Sequence, residues 1–255
     1  MVNLILKTKQ IMTIGNKSKF LLITILFIIY YYFPYKIEAT GFYDKVWAHQ
    51  VNSIEKLNSA LNYFDGIELD LVYNSKKNLF DVNHPPTTSI GLNFEDYLNE
   101  IEKNHFPYIW LDIKNINKEN AKPILKKLLL LFIAKNYPLN KVLIESKKAN
   151  ELLIFEKEGF KTSYYLPNNL YYIDSLSLST SILEIKKIIK TQPNIALSTS
   201  LKNYNIIKKE FPKHTKYIWA IVKPLHFHHF KIRKILKDKS VKVVLLKYNV
   251  IKGNR

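Results

Sequence analysis

From residue 41 onward the chain repeats one pattern: a short apolar run, a polar break, then a longer amphipathic run. The short runs are KVWAHQ (45–50), GIELDLVY (66–73), LFDVN (79–83), YIWLDIK (108–114), KVLIES (141–146), TSYYLP (162–167), NIALSTS (194–200), YIWAIV (217–222) and VKVVLLKY (241–248). Between most of them lie helix-like runs: SIEKLNSALNYF, NFEDYLNEIEKN, NKENAKPILKKLLLLFIAKN, ANELLIFEKEG, TSILEIKKIIKT, LKNYNIIKKEF and HFHHFKIRKILKD. Strands alternating with helices predict a parallel sheet covered by helices, and a closed TIM-type (β/α)8 barrel is its simplest form. Nine candidate strands compete for eight barrel places, so one is expected to lie outside. With no repeat, linker or low-complexity tract after residue 40, residues 41–255 are expected to form one domain.

Residues 1–40 differ in kind. Lys7, Lys9, Lys17 and Lys19 precede the apolar run FLLITILFIIYYYF (20–33), and no acid lies among residues 1–19. A fourteen-residue run, apolar except for Thr24, behind a basic flank fits a signal peptide or a short signal-anchor helix. The basic flank is expected to stay in the cytoplasm. The barrel is then expected outside it, held to the membrane by a single pass, or secreted or periplasmic if the leader is removed.

Composition narrows the chemistry. An apolar fraction of 47% with 14 Phe, 17 Tyr and 3 Trp describes an ordered globular chain rather than a disordered one. The net charge is +18, but Arg233 and Arg255 are the only arginines. Base and phosphate readers favour arginine forks, so nucleic acid is not the expected main partner. The positive field would still attract phosphate-bearing substrates or anionic head groups. With no cysteine, disulfides, thiolate nucleophiles and thiolate metal sites are excluded, and any metal must sit on oxygen or imidazole.

In this architecture the working residues stand at the carboxyl ends of the strands. Those ends supply His49, then Glu68 and Asp70, then His84, then Asp112 and Lys114, then Ser146. Glu68 and Asp70 are two apart and share a strand face, as do Asp112 and Lys114. A symmetric NSKKN turn (74–78) would pair Tyr73 with Leu79 and set His84 opposite Glu68. Three carboxylates converging in one mouth repel unless a cation lies among them, and all-oxygen ligation suits Mg²⁺ or Ca²⁺. Lys114 would complete a phosphate pocket, His49 and His84 form the usual acid and base pair, and Trp219 at a late strand end can line the pocket. His226, His228 and His229 do not share one face of a helix beginning near Pro224, so they are not read as a metal site.

The order His49, Glu68-x-Asp70, His84, Asp112-x-Lys114, followed by a late Trp-bearing strand, resembles the glycerophosphodiester phosphodiesterase and phospholipase-D-toxin group of barrels. Within that group WAHQVNS (47–53), the helix with LNSAL, GIELDL (66–71), VNHPP (82–86) and WLDIK (110–114) are most similar to the menorin domain family. Asp112 follows the toxin-like branch, where many glycerophosphodiesterases carry Glu, and HPP replaces a common His-Asp pair. The resemblance implies a divalent metal on Glu68, Asp70 and Asp112, acid-base work by His49 and His84, and phosphate contact by Lys114. Asn52, within the matched WAHQVNS, joins Lys114, Ser146 and Trp219 on the substrate side. The expected function is a phosphodiesterase acting on a glycerophosphodiester, a lysophospholipid or a cyclic phosphate. The alternative is an exported binding module that recognises a phosphorylated head group or a protein partner without turnover.

Overall fold

The computed structural model describes residues 17–28, 36–102, 105–222 and 226–250. The chain divides into two units, one of residues 37–248 and one of residues 1–36 with 249–255. In the smaller unit, residues 17–28 are helical and expose Phe20, Leu22 and Ile23. The remainder of the expected signal-anchor run, 29–33, lies outside the described residues, as do the last two residues of the NFEDYLNEIEKN run. Among the described residues no helix is long and apolar enough to cross a membrane.

The larger unit is a closed barrel. Its strands are β1 (Val46–His49), β2 (Gly66–Asn74), β3 (Leu79–Val82), β4 (Tyr108–Ile113), β5 (Val142–Ser146), β6 (Lys161–Tyr165), β7 (Ala196–Ser200), β8 (Lys216–Ala220) and β9 (Val241–Lys247). Around them lie α1 (Ile54–Ala60), α2 (Phe94–Asn99), α3 (Ala121–Ala134), α4 (Leu153–Lys157), α5 (Ser175–Thr191), α6 (Tyr204–Glu210) and α7 (His229–Lys237). Eight strands pair in parallel in the order β1-β2-β4-β5-β6-β7-β8-β9, and β9 returns to β1. The ninth, β3, runs antiparallel to β2 outside the ring, so LFDVN is the excursion.

Alternation along each strand divides the core in two. Trp47, Trp110, Leu143, Ala196, Tyr217, Val243 and Leu245 fill the inside of the ring. Ile67, Leu69, Leu71 and Ile144 are fully buried between the strands and the helices. Burial on both faces explains why the strands read as near-continuous apolar runs. Gly66 makes room for the Trp47 indole, which lies where a Cβ would stand and stacks on Tyr108 with ring centroids 5.4 Å apart.

Two expectations shift. TSILEIKKIIKT was read from residue 180, but α5 begins five residues earlier because Asp174 caps it, accepting from the N–H groups of Leu176 at 2.9 Å and Ser177 at 3.0 Å. The β2–β3 register is one residue from that expected: Asn74 pairs with Leu79 and Tyr73 with Phe80. Asn78 takes φ 48°, a left-handed conformation that Asn tolerates, and closes a shorter turn. A slip of one exchanges strand faces, so a continuing ladder would carry His84 away from Glu68. The strand ends at Val82, although the Asn83 N–H still donates to the Asp70 carbonyl at 3.1 Å, and a turn follows from His84, whose carbonyl accepts from the Thr87 N–H at 3.0 Å.

Candidate active site at the barrel mouth

At the carboxyl ends of the strands is a cavity of about 200 Å³ lined by His49, Gln50, Glu68, Asp70, His84, Asp112, Lys114, Glu145, Tyr165, Trp219 and Ile221. β2 contributes Glu68 and Asp70, and β4, in register with Asp112 beside Asp70, contributes the third carboxylate. One oxygen from each of Glu68, Asp70 and Asp112 lies within 4.8 Å of the others. Seven of the nine residues expected to form a site, His49, Glu68, Asp70, His84, Asp112, Lys114 and Trp219, line this one cavity.

The other two stand elsewhere. Asn52 grips Asp70 from behind: its Nδ2 donates to Asp70 Oδ2 at 2.7 Å and its Oδ1 accepts from the Asp70 N–H at 3.0 Å. Its amide thus fixes a carboxylate and does not line the cavity. Ser146, the last residue of β5, is buried, and its Oγ accepts from the Lys148 N–H at 3.1 Å. The residue before it, Glu145, is the one that faces the cavity.

Glu145 was not anticipated. It pairs in register with Asp112 and receives the Trp110 Nε1–H at 2.5 Å on Oε2, while its buried Oε1 has no hydrogen-bond partner. Aligning WLD with LIE along adjacent parallel strands would have found it, because register neighbours share a face. Tyr165 was missed as well; it lies against Trp219 with ring centroids 4.3 Å apart.

The backbone after β1 is shaped to hold Glu68. Gln50 takes φ 52°, uncommon for a residue with a side chain, and its N–H donates to Glu68 Oε2 at 2.6 Å. Lys56 from α1 secures that turn, its Nζ donating to the carbonyls of His49 at 2.7 Å and Gln50 at 2.9 Å. Burial, only partly offset by Glu68, lowers Lys56 to about 8.

Charge is concentrated here. The Lys114 ammonium bridges Asp70 Oδ1 and Asp112 Oδ2, each at 2.5 Å. Burial by itself would lower the Lys114 pKa, but Asp112 and Asp70 hold it above its ordinary value. Glu68 and Glu145 are pushed well up, first by burial and then by neighbouring carboxylates. Asp112 is also raised by burial, against the pull of Lys114. One ammonium does not balance four inward carboxyl groups, so the cavity has room in charge for a further cation. His49 Nε2 lies 3.7 Å from Glu68 Oε2. Burial, then Lys56, Lys114, His84 and Lys247, lower the His49 imidazole to about 3, so the ring is neutral. A neutral ring can accept a proton.

Next to this cavity, and sharing Trp219 and Ile221 with it, runs a trough of about 710 Å³ walled by Tyr171, Tyr172, Leu201 and Phe227, with Lys202 and Lys231 at its edge. Phe227 is fully exposed.

The fold and the polar mouth define a TIM-type barrel, and its structural neighbours are barrels of the glycerophosphodiester phosphodiesterase kind. A glycerophosphodiester phosphodiesterase from Parabacteroides distasonis aligns with a TM-score of 0.56 and 15% identity over 79% of this chain and 92% of its own. A phosphodiesterase from Oleispira antarctica, solved with its product sn-glycerol-3-phosphate, aligns with a TM-score of 0.53 and 11% identity over 82% and 95%. No family model and no curated protein matches the chain.

Proposed function

We propose that the protein is an exported, divalent-metal-dependent phosphodiesterase. The observation that carries this reading is the convergence of Glu68, Asp70 and Asp112 with two histidines and Lys114 in one strand-end cavity. The fold neighbours, one of them a phosphodiesterase with a glycerol phosphate product, support it, as do the menorin-like motifs around His49 and His84. The oxygen-only donor set fits Mg²⁺ or Ca²⁺, and the unpartnered Glu145 Oε1 adds an acceptor beside it. Such an ion, held by Glu68, Asp70 and Asp112, would neutralise charge on the phosphoryl oxygens. Lys114 draws the phosphate in and screens its remaining charge. His49, neutral, takes the proton of the attacking water or hydroxyl as its oxygen bonds to phosphorus. His84 returns a proton to the leaving oxygen as the phosphorus–oxygen ester bond breaks. Asn52 and the Gln50 N–H keep Asp70 and Glu68 in place throughout.

The aromatic trough beside the cavity favours an ester with an apolar substituent, which selects a lysophospholipid from the three expected substrates. Export and attachment to a membrane through the apolar run of residues 20–33 would put the mouth where such lipids are found. A panel of a lysophospholipid, a glycerophosphodiester and a cyclic phosphate, assayed with the wild type and with His84→Ala, tests the proposal. Turnover should be highest on the lysophospholipid and fall about 10²-fold or more in the variant. Undiminished cleavage by His84→Ala would remove the acid-base role. A folded protein that binds these esters without cleaving them would make the barrel a binding module.

A further inference from the structure

A second cluster of ionisable side chains lies outside the acidic mouth. Glu38 is in the 3-10 turn Ile37–Ala39 that leads into the barrel, His226 lies just before α7, and His229 is the first residue of that helix. The Glu38 side chain is fully enclosed, with Oε2 2.8 Å from His229 Nδ1 and Oε1 3.4 Å from His226 Nε2. The two imidazoles stack with centroids 4.2 Å apart. One donor atom from each of the three residues lies within 4.8 Å of the others. The Arg233 guanidinium ties the same turn to α7 through the carbonyls of Glu38 at 3.3 Å and Thr40 at 2.8 Å.

The cluster is only partly satisfied by hydrogen bonding, through the Glu38 Oε2–His229 Nδ1 contact and the His228 N–H on His226 Nδ1. Glu38 Oε1 and His226 Nε2 are both buried and have no hydrogen-bond partner, although the His226 side chain is only 6% exposed. Buried polar atoms of this kind usually have a partner, and the two missing here face one another. Two imidazole nitrogens and a carboxylate are the donor set of a borderline transition ion, not of the hard cation suited to the mouth. We propose that Glu38, His226 and His229 form a second metal centre, of the Zn²⁺ class, that fastens the lead-in turn to α7.

Ligand atoms around tetrahedral zinc stand about 3.3 Å apart, so loading opens the 2.8 Å pair slightly and draws in any pair left wider, all of them already within 4.8 Å. It also has a definite cost. The His228 N–H donates to His226 Nδ1 at 3.0 Å, and ligation through Nε2 requires a proton on Nδ1, which opens that exposed bond. The sequence pattern points away from this site because it places the start of α7 near Pro224. Its start at His229 leaves His226 free of the helical face rule, and Glu38 lies 191 residues from His229 in sequence.

Co²⁺ alone, titrated into the full chain in detergent and followed by visible absorption, tests the proposal. A four-coordinate spectrum with nitrogen donors should saturate at one equivalent. His229→Ala and Glu38→Gln should each weaken it by about 10-fold or more, as changes near metal ligands commonly do. Asp112→Asn should leave it intact. Because Glu38→Gln removes a buried group and can disturb folding, the circular dichroism of each variant is recorded, and the more exposed His229→Ala decides if Glu38→Gln is unfolded. No spectrum, a spectrum unchanged by His229→Ala, or one abolished by Asp112→Asn would each overturn the proposal.

Discussion

Two lysines, Lys114 half-buried and Lys216 buried, sit at opposite ends of the barrel, and burial has different outcomes for them. At the mouth, Lys114 faces Asp70 and Asp112 at 2.5 Å and is held charged, its pKa above the ordinary value. At the opposite rim, the fully buried Lys216 donates to the carbonyls of Phe211 at 2.5 Å and His214 at 2.7 Å and to Ser240 Oγ at 3.1 Å. Burial lowers its pKa to about 8, with only partial compensation from Asp238. Burial disfavours the ammonium in both places; what differs is whether a carboxylate faces it directly. The rim lysine closes three acceptors. The mouth lysine belongs to a charge imbalance that a ligand can relieve, which is the expected division between the two ends of such a barrel.

The comparison is broken most severely at the mouth. Under the proposed function, Glu68→Gln should reduce phosphodiester turnover by about 10²-fold or more while the chain remains folded, because it removes one of the three carboxylates that would hold the ion. Lys114→Met should lower stability by about 2–3 kcal/mol in denaturant unfolding. That is at or below the range for breaking a fully buried pair, since the Lys114 side chain is 22% exposed. Lys216→Met should cost about 1–3 kcal/mol at neutral pH, from acceptors left without their donor, and leave turnover unchanged.

The same lysine gives a test with a definite sign. Its folded pKa is about 8, below the usual 10.5, so on raising the pH the folded chain releases this proton before the unfolded chain does. Its contribution to stability therefore grows as pH rises from about 8 to 10.5. Unfolding free energies measured across that window should rise more steeply in the wild type than in Lys216→Met, which keeps the contribution of Lys56; parallel profiles would contradict the assignment. The smallest effect is expected from Trp219→Ala, which should raise KM for a lysophospholipid by about tenfold or less and spare kcat, as lost uniform binding does.

The strands and most of the mouth were legible because a barrel strand buried on both faces reads as an apolar run, and a polar residue at its carboxyl end has few structural reasons to be there. Glu68, Asp70 and Asp112 stood out on those grounds. Glu145 did not, because Ser146 is the last polar residue of the run, whereas side-chain direction follows the two-residue alternation and turns Glu145 inward. His84 reached the cavity by a route different from the expected pairing: the left-handed Asn78 shifts the register, and β3 ends at Val82, so the strand ladder does not set where His84 points. Asn52 illustrates a limit of motif reading, since the spacing placed it near the site but did not distinguish contact with substrate from support of Asp70. Glu38 and His229 meet only through closure of the fold.

The central claim is that the mouth is a metal-dependent phosphodiesterase. It is tested most directly by product release from a lysophospholipid, with the purified full chain in Mg²⁺, in Ca²⁺ and in chelator, alongside Glu68→Gln. Turnover that requires one of the ions and is lost in the variant is the predicted result. Turnover that persists in chelator, or equally in Glu68→Gln, would contradict it.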